Sequence, residues 1–128
     1  MGSILTLGLA GPIVAQDLDC ENAQTQLDMN FCARQDWQDA DDALNDIYKS
    51  ALAEMLDTDS VLDSEDIGAV EALKVAQRLW VKYRDAACTA EEYPFTGGSI
   101  QPMIYWSCQA RLTWARVEDL GMLANLGN

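Results

Sequence analysis

The side chains with the most chemistry to offer are four cysteines, Cys20, Cys32, Cys88 and Cys108. Free thiolates attack electrophiles and bind soft metals, whereas oxidised pairs do neither. A structural zinc site draws its thiolates from close pairs two to four residues apart, often with histidine. Here the spacings are wide and the chain has no histidine. An even count of cysteines in a short chain predicts a disulfide framework instead. The lack of histidine also removes the usual general base. No nucleophile elbow, phosphate loop or dinucleotide fingerprint occurs. Paired carboxylates hydrolyse glycosides, but among 21 acidic residues such a pair arises by chance. A small carboxylate-based glycan hydrolase is therefore a minor alternative. Asp57, Asp59 and Asp63 invite a calcium reading. An EF-hand loop needs glycine sixth and glutamate twelfth, and Leu62 and Gly68 stand there. The expectation is a protein that is not an enzyme and takes no metal and no cofactor.

Charge narrows the partners. The formal net charge is −13, from 21 acidic and 8 basic residues. All of it lies in the first half: residues 16–66 carry fifteen acids and two bases, whereas residues 67–128 carry six of each. Nucleic acid and anionic membrane surfaces would be repelled. A basic protein partner would be attracted, and attraction of this kind mainly speeds encounter.

Periodicity sets the elements that carry these residues. Thr25 is a candidate N-cap, with Asp28 three positions on. Ala40, Leu44, Ile47, Tyr48, Ala51, Leu52 and Met55 then recur at helical spacing. Asp36, Asp39, Asp42 and Asp46 fall off that stripe and are expected in solvent. The pattern predicts one long helix over 25–55, unbroken or interrupted near 34–38. Residues 57–64 read as a turn in which Asp63 or Ser64 caps a second helix over 65–89. Its expected buried face is Ile67, Val70, Leu73, Ala76, Trp80 and Tyr83. A loop over 91–99 contains Pro94 and Gly97-Gly98. A third helix follows, opened by Ser99 and Pro102 and ending near Leu123. Its stripe is Met103, Tyr105 or Trp106, Leu112, Val117, Leu120 and Met122 or Leu123. No segment reads as a β-strand. The fold class is all-α: a small bundle of about three main helices, the first long or broken, stapled by two disulfides. A short loop makes the second and third helices antiparallel neighbours, which brings Cys88 near Cys108. Cys20 and Cys32 flank the start of the first helix. Of the three pairings that four cysteines allow, Cys20–Cys32 and Cys88–Cys108 are favoured.

One constellation on the second helix stands out. Gln77, Arg84 and Cys88 lie on one side, near Trp80 and Tyr83. A buried arginine must find a carboxylate or carbonyls, and Asp41, Asn45 and Asp85 are the candidates. A binding pocket would use the same groups. The reading adopted is a structural polar network that fixes how the helices dock.

Residues 4–14 are apolar and too short to span a bilayer. Ala15 followed by Gln16 resembles a signal-peptidase site, although no basic residue precedes Arg34. The division expected is a signal peptide over 1–15, truncated or complete, and a single domain over 16–128. Asp17-Leu18-Asp19 before Cys20 lacks the small residues of a lipoprotein site, so no stable membrane anchor is expected. The location expected is periplasmic or secreted. Nothing in the pattern sets an oligomeric state.

Four ordered blocks carry a family resemblance. They are Asp19-Cys20-Glu21-Asn22-Ala23-Gln24-Thr25-Gln26-Leu27-Asp28-Met29-Asn30-Phe31-Cys32-Ala33; then Ala40-Asp41, Leu44-Asn45 and Tyr48; then Gln77, Trp80, Tyr83-Arg84-Asp85 and Cys88; and last Gly97-Gly98-Ser99, Cys108, Thr113, Arg116 and Leu120. Together they span 19–120 and resemble the lysozyme-inhibitor-like (LprI-type) N-terminal domain. The resemblance implies an exported, disulfide-bonded helical bacterial domain, and a member of that family inhibits lysozyme. Animal-type lysozymes are basic, so the resemblance and the acidic charge agree. The expected function is inhibition of a basic lysozyme by occluding its cleft. The alternative is an envelope binding or structural module with another partner. An interface also needs an apolar anchor. Glu91, Glu92, Tyr93 and Phe95 gather acids and aromatics and are the expected contact, with Asp36, Asp39, Asp42 and Asp46 as the steering face.

Overall fold

The structure, a computed structural model, describes residues 18–127. The expected leader and the expected cut after Ala15 lie outside these residues. The described chain is three α-helices and two 3-10 turns, with no strand. No described helix is long and apolar enough to cross a membrane.

A 3-10 turn, Cys20–Asn22, opens the fold and is capped by Asp19. The Asp19 carboxylate accepts from the Glu21 N–H at 3.1 Å and from Asn22 Nδ2 at 2.7 Å. Helix α1 is Gln26–Ser60. Its N-cap is Thr25, whose Oγ1 accepts from the Asp28 N–H at 3.1 Å. It runs unbroken through 34–38, because no glycine or proline interrupts 26–60. It also passes Met55 by a full turn, so Asp57 and Asp59 are helical and not part of a loop.

Helix α2 is Ala69–Glu92, and its start corrects the sequence expectation. Neither Asp63 nor Ser64 caps it. Asp59, in the last turn of α1, accepts from the N–H groups of Gly68, Ala69 and Val70 at 3.0, 2.8 and 3.1 Å. Three orphan donors at a helix start favour a carboxylate, and the chain reversal delivers one from the preceding helix. These bonds hold the Asp59 carboxyl below its ordinary range, the Gly68 N–H contributing most. They also commit the central acid of the calcium reading. Helix α2 reaches Glu92 and continues as a 3-10 turn, Tyr93–Phe95, where a loop was expected. Gly97 turns the chain at φ 82°. Helix α3 is Gln101–Ala124, with Pro102 in its first turn.

Helices α1 and α3 run in the same direction and share the largest interface. Asn30 Nδ2 donates to the Ser99 carbonyl at 2.9 Å near one end, and Trp37 packs on Trp106 with centroids 4.8 Å apart. Ala40, Ala51 and Ala110 are buried and let the backbones approach. Leu44, Leu73 and Leu120 complete the core, with Ile47, Tyr48, Leu52, Met55, Trp80, Val117 and Leu123 packed around it. The expected face of α2 is only partly right. Leu73 is buried, but Ala76 is exposed, Tyr83 is 65% exposed and Ile67 precedes the helix. Met122 on α3 is likewise exposed.

Asp59→Asn keeps the shape of the cap and removes its charge. A carboxyl held low in the fold stabilises fully above its unfolded value near 4 and loses that contribution as pH falls through the folded value. The variant is expected to melt below the wild type at pH 7, and the gap should narrow below about pH 4. Thermal unfolding followed by circular dichroism from pH 2 to 7 checks this.

Candidate functional site

Two disulfides hold the elements that present polar groups. Cys20 and Cys32 bond across the first turns of α1, and Cys88 and Cys108 join α2 to α3, each with Cα atoms 5.5 Å apart. Both expected pairings are present, and no described cysteine is free. Loops closed over 12 and 20 residues each restrict the unfolded chain by about 3 kcal/mol. Glu91 lies beside Cys88 and Cys108, but the two sulfurs are bonded to each other and offer no thiolate.

The Cys88–Cys108 bridge sits in a buried polar seam. Arg84 is 8% exposed. Its Nε donates to Asp85 Oδ1 at 3.0 Å and its Nη1 to Thr113 Oγ1 at 3.4 Å. Its guanidinium lies 5.1 Å from the Trp80 ring centroid. Gln109, 1% exposed, donates from Nε2 to Asp85 Oδ1 at 3.0 Å and to the Tyr105 hydroxyl at 3.2 Å. Burial, with the charge of Asp85 added, pushes the Tyr105 hydroxyl pKa up. Arg116 Nε donates to Gln77 Oε1 at 3.0 Å and stands 5.9 Å from the Trp80 ring. Gln77, Arg84 and Asp85 therefore meet in one network. Asp41 and Asn45 are not among the partners of Arg84. Of its two hydrogen-bond partners, Asp85 is its neighbour on α2, as expected, and Thr113 comes from α3. The seam is filled by its own side chains and satisfies itself.

The other expected residues lie elsewhere. Glu91 is on the last turn of α2, where Arg111 Nη2 donates to both its carboxylate oxygens at 2.7 and 2.8 Å. Glu92 is half-buried. Tyr93 is exposed and Phe95 partly so, on the 3-10 turn. Asp36, Asp39, Asp42 and Asp46 are exposed on α1. Asp36 points to the α3 seam and accepts from Trp114 Nε1 at 3.1 Å. The remaining three stay on the outer side, away from the aromatic loop. Two shallow depressions follow this side, one lined by Gln35, Trp37, Gln38, Asp39, Asp41 and Asp42, the other by Leu18, Cys20, Cys32, Gln35, Asp36 and Asp39. Neither resembles an enclosed catalytic cleft.

Sequence reasoning missed two exposed side chains there, Leu27 and Phe31. Both fall off the apolar stripe when it is carried back to the start of α1, and that offset was the available signal.

The family model of the lysozyme inhibitor LprI matches residues 19–120. The chain belongs to the lysozyme inhibitor LprI family. Both disulfides and the whole Arg84 seam fall inside the matched region. An uncharacterized protein of Rhizobium meliloti (strain 1021) is 42% identical over 121 residues, covering 91% of this chain and 87% of the relative. The crystal structure of a DUF1311 family protein from Pseudomonas putida KT2440 superposes with a TM-score of 0.67 at 24% identity, over 84% of this chain and 99% of that one. That likeness concerns the fold. The LprI bundle is thus a shared scaffold.

Thr113→Val removes the hydroxyl that accepts from Arg84 and preserves shape. It is expected to lower stability by about 1–2 kcal/mol, read as a shifted midpoint in urea denaturation with an unchanged slope.

Proposed function

We propose that this protein is an exported inhibitor of a basic, peptidoglycan-cleaving lysozyme. Membership of the LprI family carries the reading. The uneven charge supports it: the net −13 lies within residues 16–66, and Asp39, Asp42 and Asp46 are exposed on α1. A basic enzyme is steered to such a face, and a rigid helical body then blocks access to its cleft. Inhibition of this kind needs binding, not turnover, and no group on this chain has to react. Export to the periplasm or medium belongs to the same reading, because lysozyme acts there and two disulfides persist there.

The test is a peptidoglycan-clearing assay with an animal-type lysozyme and the oxidised chain at increasing ratio. Stoichiometric inhibition, weaker at 0.5 M than at 0.05 M salt, is expected. No inhibition by the folded chain at micromolar excess, across several basic lysozymes, would sink the reading and point to another envelope partner.

A further inference from the structure

We infer that the partner docks on the outer face of the N-terminal half of α1, with Leu27 and Phe31 as its apolar anchors. The inference rests on the lysozyme reading above and names the surface that reading requires.

Large apolar side chains exposed in pairs at helical spacing are what a docking face needs. Leu27 is 77% and Phe31 57% exposed. They stand four residues apart on the first two turns of α1 and so project side by side. The same side of the helix continues through Gln35, Gln38 and Asp42, with Asp28, Asp39 and Asp46 along one edge. The strip therefore begins with an apolar anchor, passes two carboxamides and ends in carboxylates. Arg34, the nearest cation, is drawn off the strip, its guanidinium 5.4 Å from the Trp106 ring centroid on α3.

The anchors are also held stiff. The Cys20–Cys32 bridge ties the preceding turn to the residue after Phe31, and Thr25 caps the helix start. A preorganised anchor loses little entropy on binding.

Charge separates this face from its rivals. A second exposed apolar row, Val75, Leu79 and Tyr83 on α2, runs beside Lys74, Arg78 and Lys82, which are exposed at the same spacing. A cation-rich enzyme is repelled there. On the 3-10 turn, Tyr93 is exposed, but of the two acids before it Glu91 is paired with Arg111 and Glu92 is half-buried. On α1 the anchors share one side with Asp39, Asp42 and Asp46, which are exposed and form no ion pair among the described residues.

The experiment measures binding of an animal-type lysozyme by surface plasmon resonance to the full oxidised chain and three variants. Leu27→Ala/Phe31→Ala is expected to weaken affinity at least about tenfold, mainly through faster dissociation. Asp39→Asn/Asp42→Asn/Asp46→Asn is expected to slow association and flatten its salt dependence, with dissociation changed less than about twofold. Tyr93→Ala/Phe95→Ala should bind like the wild type. Because every substituted side chain but Phe95 is well exposed, circular dichroism should report wild-type helicity throughout. Wild-type affinity in the Leu27/Phe31 variant overturns the docking face and leaves the inhibitor reading standing. Loss confined to the Tyr93/Phe95 variant moves the face to the 3-10 turn. No binding by the wild type overturns the inhibitor reading, and the face falls with it.

Discussion

A guanidinium taken out of water must be repaid by partners, and Arg84 is almost wholly out of water. Asp85 and Thr113 supply its hydrogen bonds, Trp80 lies against its cation, and Gln109 steadies the carboxylate from the facing helix. This set can form at one stagger of α2 against α3 and no other. A shift of one residue would turn Thr113 away and leave a charge buried alone, at several kcal/mol. The Cys88–Cys108 bridge lies one turn along and enforces the same stagger. Leu73, Trp80, Val117 and Leu120 supply apolar burial beside the seam, and the polar matching selects the stagger.

Much of this was legible beforehand, and the gaps share a cause. The helices could be read because glycine and proline are absent from their interiors and their apolar residues repeat. The pairing of cysteines followed from helix order and a short connection. The start of α2 was missed because its cap comes from Asp59, ten residues earlier, and no local pattern announces a donor set satisfied from the previous helix. The inward side of α2 was placed too near Ala76 and Tyr83, because the apolar stripe was followed there and not the neighbouring side that carries Arg84 and Cys88. In fact Arg84 and the disulfide pull the helix round. Asp41 and Asn45 were sensible partners by type, but the partners were decided by which helix lies alongside. The resemblance pointed at Thr113 and Arg116 without saying that they meet Arg84 and Gln77.

The bundle separates two tasks. The α2–α3 seam is hydrogen-bonded within itself, and it sets shape. The long α1 carries Asp39, Asp42 and Asp46 on a side that packing does not use. Changes in that outer strip alter what the molecule attracts with little effect on how it folds.

Neither disulfide crosses from α1 to the other two helices. Cys20–Cys32 closes within the first segment, and Cys88–Cys108 closes within the helical hairpin. The link over residues 61–67 is exposed throughout. A single proteolytic cut there would divide the chain into two covalently independent pieces, each keeping its own cross-link. In a protease-rich compartment, the lifetime of the whole molecule would then be set by how often that short exposed link opens, not by the strength of its disulfides.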